Sequence, residues 1–247
     1  MEILTFGVGG RIRECERILA RRLSATPGRL ILLPIPSSRD KKYITQSSYT
    51  IENICHVLEH GDYLVGYNLP AELLKFADQK KVKVYDGSLD EAFLGENAFL
   101  TAEGTLGYLL THSKRDPSEL SVGIIGYGRI GQRLLRLLLL FGSKITVFTG
   151  RKSVALELGE MGVSACLVGE KIDLSGLDIL INTAPERQID ESDLPPELEI
   201  IDLASGNVFE PSDRLTKLAS VPDAMYPLTA GRLYAEAAMD ALFGDEK

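Results

Sequence analysis

The chain has 247 residues, of which 45% are hydrophobic and 25% are charged, a mixture that is ordinary for a globular protein. It excludes a disordered chain, a collagen-like repeat and a small disulfide scaffold. The net charge is −8, from 27 lysine and arginine against 35 aspartate and glutamate residues, and no long basic run is present, so no nucleic-acid binding is expected.

The first part of the chain alternates short apolar runs with stretches of helical periodicity, which predicts parallel strands joined by crossover helices. The predicted strands lie at residues 3–6, 30–33, 63–65 and 82–85. The predicted helices lie at residues 12–23, 51–59 and 70–79. A glycine cluster at residues 7–10 departs from the dinucleotide-binding pattern at Ile12, so we interpret it as a strand-to-helix turn rather than a second nucleotide site.

A second series of strands and helices begins near Asn97. The predicted helices lie at residues 98–113, 132–140 and 230–243, and the predicted strands at residues 122–125, 144–148, 165–168, 178–181, 199–203 and 220–221. The pattern predicts an α/β protein of two domains. Residues 1–96, completed by the C-terminal helix at 229–244, are expected to form a substrate domain, and residues 97–228 a Rossmann dinucleotide-binding domain.

Cysteines, histidines and apolar segments exclude several classes of protein. Cys15, Cys55 and Cys166 are far apart and odd in number, so we expect reduced thiols. His56 and His60 are spaced i, i+4 but have no third ligand nearby, and no metal site is predicted. The chain lacks a signal-peptide pattern and an apolar run of the roughly 20 residues that a membrane helix needs, so we expect a cytoplasmic protein without membrane contact.

The most informative motif is the segment VGIIGYGRIG at residues 122–131, in which an apolar strand leads into the pattern G-x-G-x-x-G and then into a helix. The first glycine makes a tight turn, the second lets the backbone approach a diphosphate, and the third lets the helix pack on the strand. The helix N-terminus offers amide donors to the phosphates. The predicted cofactor contacts at this loop are Gly126, Gly128, Arg129, Ile130 and Gly131. A purely structural tight turn is the alternative.

The residues after the next strand indicate which dinucleotide is bound, because an Asp or Glu there would bind the ribose hydroxyls of NAD. No carboxylate is present at residues 148–153. Two cations and two hydroxyls lie there, in the residues Thr149, Arg151, Lys152 and Ser153. Such groups suit the 2′-phosphate of NADP, which we therefore predict over NAD. A solvated basic turn is the alternative.

Polar residues at the ends of two later strands are further candidates, because ligands of open α/β sheets bind at the carboxyl ends of the strands. Asn182, Thr183 and Pro185 are predicted to contact the cofactor. Asp202 and Ser205 are predicted to face the nicotinamide ring as catalytic groups. For Asp202, a buried cap on neighbouring backbone amides is an equally weighted alternative.

The second half of the chain resembles the A subunit of dipicolinate synthase. The resemblance rests on TAEG at residues 101–104, the glycine loop, TGRKS at 149–153, ILINTAP at 179–185, IDLAS at 201–205 and PLTAG at 227–231. It covers residues 97 to about 242. It implies an N-terminal flavodoxin-like domain, NADP, a dihydrodipicolinate-type substrate and a flavoprotein-like second subunit. The chain departs from the family after residue 205 and before the last helix, where substrate choice would be decided.

A broader resemblance links the chain to the D-2-hydroxyacid dehydrogenase superfamily, which shares the two-domain plan with a helix crossing in each direction. This resemblance implies that two crossing helices link the two domains. Those enzymes use an arginine and a late histidine paired to an acid. His56, His60 and His112 all precede the dinucleotide-binding motif, so that chemistry is not expected in its usual form.

The resemblance also suggests substrate-side residues. Thr101 and Glu103 are candidate catalytic groups, with helix capping as the alternative. Thr229, Ala230 and Gly231 are predicted to open the last helix and to hold a substrate carboxylate with backbone amides.

Together these features predict an NADP-dependent oxidoreductase that transfers hydride to or from a small carboxylated heterocycle or similar acid in the interdomain cleft. A catalytically degenerate nucleotide-binding sensor or scaffold, and a 2-hydroxyacid dehydrogenase-like enzyme with atypical catalytic residues, are the alternatives. A homo-oligomer is expected.

Overall fold

The computed structural model describes residues 1–169, 172–206 and 208–244. These residues form two compact units, the first containing residues 1–97 and the chain from Pro222 onward, and the second containing residues 98–221. Each unit is built on a parallel sheet flanked by helices, which confirms the predicted α/β class. Among the described residues, no helix is both long and apolar enough to cross a bilayer.

The first unit contains a four-stranded parallel sheet whose strands follow chain order. Its strands are β1 (Glu2–Thr5), β2 (Arg29–Leu32), β3 (Tyr63–Gly66) and β4 (Lys83–Asp86). The helices between them are α1 (Gly10–Arg22), α2 (Ile51–Val57) and α3 (Ala71–Gln79). A flavodoxin-type sheet has its second strand outside its first, whereas here β1 lies at the edge and β2 lies between β1 and β3, so the predicted flavodoxin-like strand order is not found in this sheet.

Helix α4 (Glu91–His112) is longer than predicted and begins seven residues earlier. The carboxylate of Asp90 accepts a hydrogen bond from the amide of Phe93 at 3.0 Å, which is the geometry of an N-terminal cap. Phe93 is buried in the core of the first unit. Gly95 and the surrounding polar residues weaken the helical pattern in this stretch, which is why the predicted start is too late.

The second unit has the strand order of a doubly wound dinucleotide-binding sheet. Its elements are β5 (Ser121–Ile125), α5 (Arg129–Leu140), β6 (Lys144–Thr149), α6 (Lys152–Glu160), β7 (Ser164–Leu167), β8 (Ile179–Asn182), β9 (Glu199–Asp202) and β10 (Leu215–Lys217). All strands are parallel, in the order β10-β9-β8-β5-β6-β7. The order reverses between β5 and β8, and this switch point is where such sheets bind ligands.

The last predicted strand, at residues 220–221, is wrong. The sixth strand is β10, and Val221 instead begins the short helix α7 (Val221–Met225). Only three residues form β10, at the edge of the sheet, so its apolar signal is weak. Val221 is buried within a helix, and its apolar character suggested a strand.

Helix α8 (Pro227–Phe243) packs on α1 through small residues. A β-carbon on Gly231 would lie only 2.6 Å from the carbonyl oxygen of Arg11, so the two backbones approach closely there. Ala235 and Ala238 are fully buried in the same core cluster as Cys15. These small residues are therefore used for packing within the first unit, and the homo-oligomer stays a prediction.

Asp86, at the end of β4, anchors two neighbouring turns of the first unit. Its carboxylate accepts hydrogen bonds from the amides of Asn68 (2.8 Å), Leu69 (2.9 Å) and Ser88 (2.9 Å). Burial raises the pKa of this carboxyl, but the hydrogen bonds lower it by more, so the pKa lies below its ordinary value.

We expect Asp86→Ala to lower the free energy of unfolding by about 1–3 kcal/mol near neutral pH, because the half-buried amides of Leu69 and Ser88 lose their acceptor. A lowered carboxyl pKa stabilises the folded state above the ordinary pKa, and this stabilisation is lost as pH falls through the lowered value. The difference between wild type and variant, measured by urea unfolding, should therefore shrink as the solution is acidified. Asp78→Ala, at an 84% exposed side chain, is the control. A difference that does not change with pH would contradict this account.

Candidate dinucleotide site

The glycine loop lies at the switch point, between the end of β5 and the start of α5. Gly126 has φ +90°, a conformation that favours glycine, and its amide donates to the carbonyl of Phe148 at 2.8 Å. The hydroxyl of Thr183, which follows β8, donates to the carbonyl of Ile125 at 2.8 Å. The turn is thus held from both neighbouring strands.

The other two glycines of the motif have different surroundings. A β-carbon on Gly131 would collide with the carbonyl oxygen of Gly126, so only glycine lets α5 pack this closely on the turn. A β-carbon on Gly128 would have no atom of the described residues within 4 Å, so these residues leave open space beside its backbone. Gly128 is also the N-cap of α5, and no side chain of the described residues caps that helix. First-turn amides of a helix lack acceptors within the helix, so the turn can donate to a diphosphate.

Arg151 lies directly on this loop. Its guanidinium donates to the carbonyl of Tyr127 at 2.7 Å, and its amide donates to the hydroxyl of Thr149 at 3.2 Å. Thr149 is buried, whereas Lys152 and Ser153 are exposed at the start of α6, which has no side-chain cap. The four residues therefore form a positively charged edge beside the glycine turn.

Gln188 is a residue that the sequence analysis missed. Its side-chain oxygen lies 3.9 Å from the position that a β-carbon on Gly150 would occupy, next to Arg151. Gln188 belongs to the loop after β8, whose approach to the end of β6 depends on tertiary structure. No local pattern signals it.

Asn182 and Asp202 belong to a buried polar network at the ends of β8 and β9. The amide of Asn182 donates to one carboxylate oxygen of Asp202 at 2.8 Å, and the backbone amide of Ala204 donates to the same oxygen at 3.0 Å. The other oxygen accepts from Lys217 at 2.6 Å. Both Asn182 and Asp202 are at most 1% exposed. The arrangement matches the backbone-capping interpretation of Asp202.

Thr101 and Glu103 are not at a helix start. They are the eleventh and thirteenth of the 22 residues of α4, so the alternative interpretation, a role at the start of the helix, is wrong for both. Thr101 is buried, and its carbonyl accepts from the hydroxyl of Thr105 at 2.8 Å. Glu103 is half-buried. Its role as a catalytic group stays a prediction, as does that of Ser205, which is exposed after β9 together with the exposed Pro185 after β8.

The residues predicted to open the last helix are placed differently. Helix α8 begins at Pro227, so Thr229 is its third residue. The amide of Ala230 donates to the carbonyl of Tyr226 at 2.8 Å and is therefore used within the chain. Gly231 faces α1. The helix begins earlier than predicted, so the amide of Ala230 is bonded within the helix and does not point to a substrate carboxylate.

The glycine cluster of the first unit is filled by a side chain of the same chain. The carboxylate of Asp223 accepts from the amide of Arg11 at 2.7 Å, and a β-carbon on Gly9 would lie 2.8 Å from its other oxygen. The cluster therefore serves as a strand-to-helix turn, as interpreted. Helix α2 ends at Val57, before His60. The i, i+4 spacing of His56 and His60 therefore does not place them on one helical face.

Comparison with known proteins supports the resemblance. No family model matches the chain. The A subunit of dipicolinate synthase from Bacillus subtilis strain 168 is 28% identical over 170 residues, an alignment that covers 64% of this chain and 56% of that protein. The match thus spans little more than half of that curated relative.

Solved structures extend the likeness over nearly the whole chain. The A subunit of dipicolinate synthase from Bacillus halodurans has a TM-score of 0.77 at 19% identity, over 98% of this chain and 97% of that one. A D-isomer specific 2-hydroxyacid dehydrogenase from Lactobacillus delbrueckii subspecies bulgaricus, in an NAD-complexed form, has a TM-score of 0.52 at 13% identity, over 100% of this chain and 97% of that one. At such identities the structures show a shared fold. The chain resembles the A subunit of dipicolinate synthase in sequence and in fold.

Proposed function

We propose that this protein is an NADP-dependent oxidoreductase that transfers hydride to or from a small carboxylated heterocycle or a similar acid. The dinucleotide would be held by the glycine loop, with its diphosphate at Gly128 and the start of α5. It would supply the hydride acceptor or donor, and the chain would position it. The open backbone at Gly128 and the uncapped helix behind it fit such a group.

The observation that carries the preference for NADP is the contact between Arg151 and the glycine loop. The guanidinium donates a hydrogen bond to the carbonyl of Tyr127, and this contact holds it beside the turn. No carboxylate is present at the end of β6 to bind ribose hydroxyls or to repel a phosphate. A guanidinium donates several hydrogen bonds in a fixed plane, which suits the 2′-phosphate.

Arg151→Ala should weaken NADPH binding by about 10- to 100-fold and NADH binding by no more than about twofold, because only NADPH carries the 2′-phosphate. Both affinities are measured by isothermal titration of the purified protein. Arg136→Ala removes the same charge from an exposed position two turns after the start of α5 and should change neither affinity. Equal losses for both cofactors, or tighter binding of NADH by the wild type, would contradict the assignment.

The substrate class and the partner rest on the relative. The name of that protein describes one subunit of a synthase for dipicolinate, a carboxylated heterocycle. We therefore propose a dihydrodipicolinate-type substrate, a flavoprotein-like second subunit, and Glu103 and Ser205 as candidate groups near the reaction. Oxidation or reduction of NADP(H) should be followed with this substrate, with and without such a partner.

A second candidate function is a nucleotide-binding sensor or scaffold without catalysis. It is favoured by the placement of Asp202 and Thr101, two of the four predicted catalytic residues, inside the protein. NADPH binding without turnover of any carboxylated heterocycle would support the sensor. Turnover would exclude it.

A further inference from the structure

Three polar side chains form a row at the carboxyl edge of the second sheet. Asn182, Asp202 and Lys217 are register partners on β8, β9 and β10. Register partners on neighbouring parallel strands project to the same face of a sheet. The carboxylate of Asp202 is the centre of the row, bonded to Asn182 on one side and to Lys217 on the other. The row is buried at Asn182 and Asp202 and 31% exposed at the side chain of Lys217.

This row holds the segment of residues 203–206, which follows β9, at two points. The backbone amide of Ala204 donates to Asp202, and the ammonium of Lys217 donates both to Asp202 and to the carbonyl of Gly206. Lys217 therefore links the buried carboxylate to the far end of the segment.

The same row is connected to the glycine loop. Asn182 exchanges two hydrogen bonds with the backbone of Ala184, at 3.0 and 3.1 Å. Thr183, between them, is bonded to the carbonyls of Ile125 and Gly126. The loops after β5, β8 and β9 are thus joined through the neighbouring residues Asn182 and Thr183, whose side chains bond in the two directions.

The strand order indicates what the segment 203–206 would face. A dinucleotide lies across the carboxyl ends of the strands at the switch point. Arg151 places the 2′-phosphate end on the β6 side, so the nicotinamide end would extend toward β8 and β9. Those are the strands whose following loops the row holds.

We propose that Lys217 is a positioning residue, which holds the segment 203–206 in the place that the nicotinamide half of the cofactor requires. It acts through Asp202 and the carbonyl of Gly206, and it is not itself a catalytic residue. This proposal rests on the proposed function. Lysine suits the position because a buried carboxylate needs a compensating charge, and the exposed end of the row lets the ammonium keep contact with water.

The test separates the two halves of the cofactor. Adenosine 2′,5′-bisphosphate probes the Arg151 side alone, and NADPH probes both sides. In Lys217→Met, the affinity for the bisphosphate should remain within about twofold, whereas the affinity for NADPH should fall by about five- to tenfold. The fluorescence of the bound dihydronicotinamide should also move toward that of free NADPH. Lys217→Arg, which retains the charge and the donors, should restore both properties.

Two controls make the outcome decisive. Lys144→Met removes the same group from the exposed amino end of β6 and should leave both probes unaffected. Lys217→Gln retains a donor without the charge, so it should lower the affinity for NADPH in the same direction as Lys217→Met but by less. Equal losses for both probes would show a merely structural role and overturn the proposal, and so would unchanged NADPH affinity and fluorescence in both Lys217→Met and Lys217→Gln. If the wild type binds neither probe, the proposed function itself fails, and the proposal fails with it.

Discussion

Gly128→Ala should weaken NADPH binding by about 100-fold or more, equivalent to about 2.7 kcal/mol, and leave the melting temperature almost unchanged. The backbone at Gly128 has φ −87° and ψ −165°, which any residue adopts, and a β-carbon there would meet no atom of the part of the chain that the structure describes within 4 Å. The folded protein therefore tolerates the methyl group. The second glycine of this motif is where the diphosphate approaches the backbone, so the methyl would occupy space that the ligand needs. Titration calorimetry and a melting curve measure the two quantities.

Two further glycine variants serve as comparisons for Gly128→Ala. Gly131→Ala should lower both stability and NADPH affinity, because its β-carbon would collide with the carbonyl oxygen of Gly126. Gly159→Ala, at an exposed position within α6, should bind NADPH normally and stabilise the protein by about 0.5–1 kcal/mol. Unchanged NADPH affinity in Gly128→Ala would show that the open space at the turn is not a diphosphate site.

Asp202→Ala should lower the free energy of unfolding by about 2–5 kcal/mol. The side-chain amide of Asn182 and the backbone amide of Ala204 share one oxygen of this carboxylate, and both would lose a buried acceptor. Lys217 adds less to the loss, because its side chain is 31% exposed and its ammonium can reach water. Urea unfolding of wild type and variant measures the difference.

The appropriate control for this variant is Asp213→Ala, at an exposed carboxylate, with an expected change within about 0.5 kcal/mol. Asp202→Asn should fall between the two, because an amide oxygen still accepts from Asn182 and Ala204 but the charge beside Lys217 is lost. A loss in Asp202→Ala as small as that of the control would mean that the network does not stabilise the second unit.

Most elements of the second unit could be predicted because their signals are local. The apolar strand before Gly126 and the helix after it are found within a few residues of their predicted limits. The start of α4, which lies in the first unit, is predicted too late, because Gly95 and its polar neighbours weaken the helical pattern there and the start is fixed by the cap at Asp90 and the burial of Phe93. Strand β10 was missed because three residues at a sheet edge carry little apolar signal.

The features of the candidate site fall into the same two groups, those that depend on local sequence and those that depend on the folded chain. Residue types and periodicity were enough to predict the two-series α/β pattern, the glycine turn and the cationic edge at residues 149–153, because each of these depends on one short segment of chain. The contact of Arg151 with Tyr127, the burial of Asp202 between Asn182 and Lys217, and the filling of the first glycine cluster by Asp223 became visible in the folded chain alone. These contacts join residues between 15 and 212 positions apart, and strand register and helix packing bring them together.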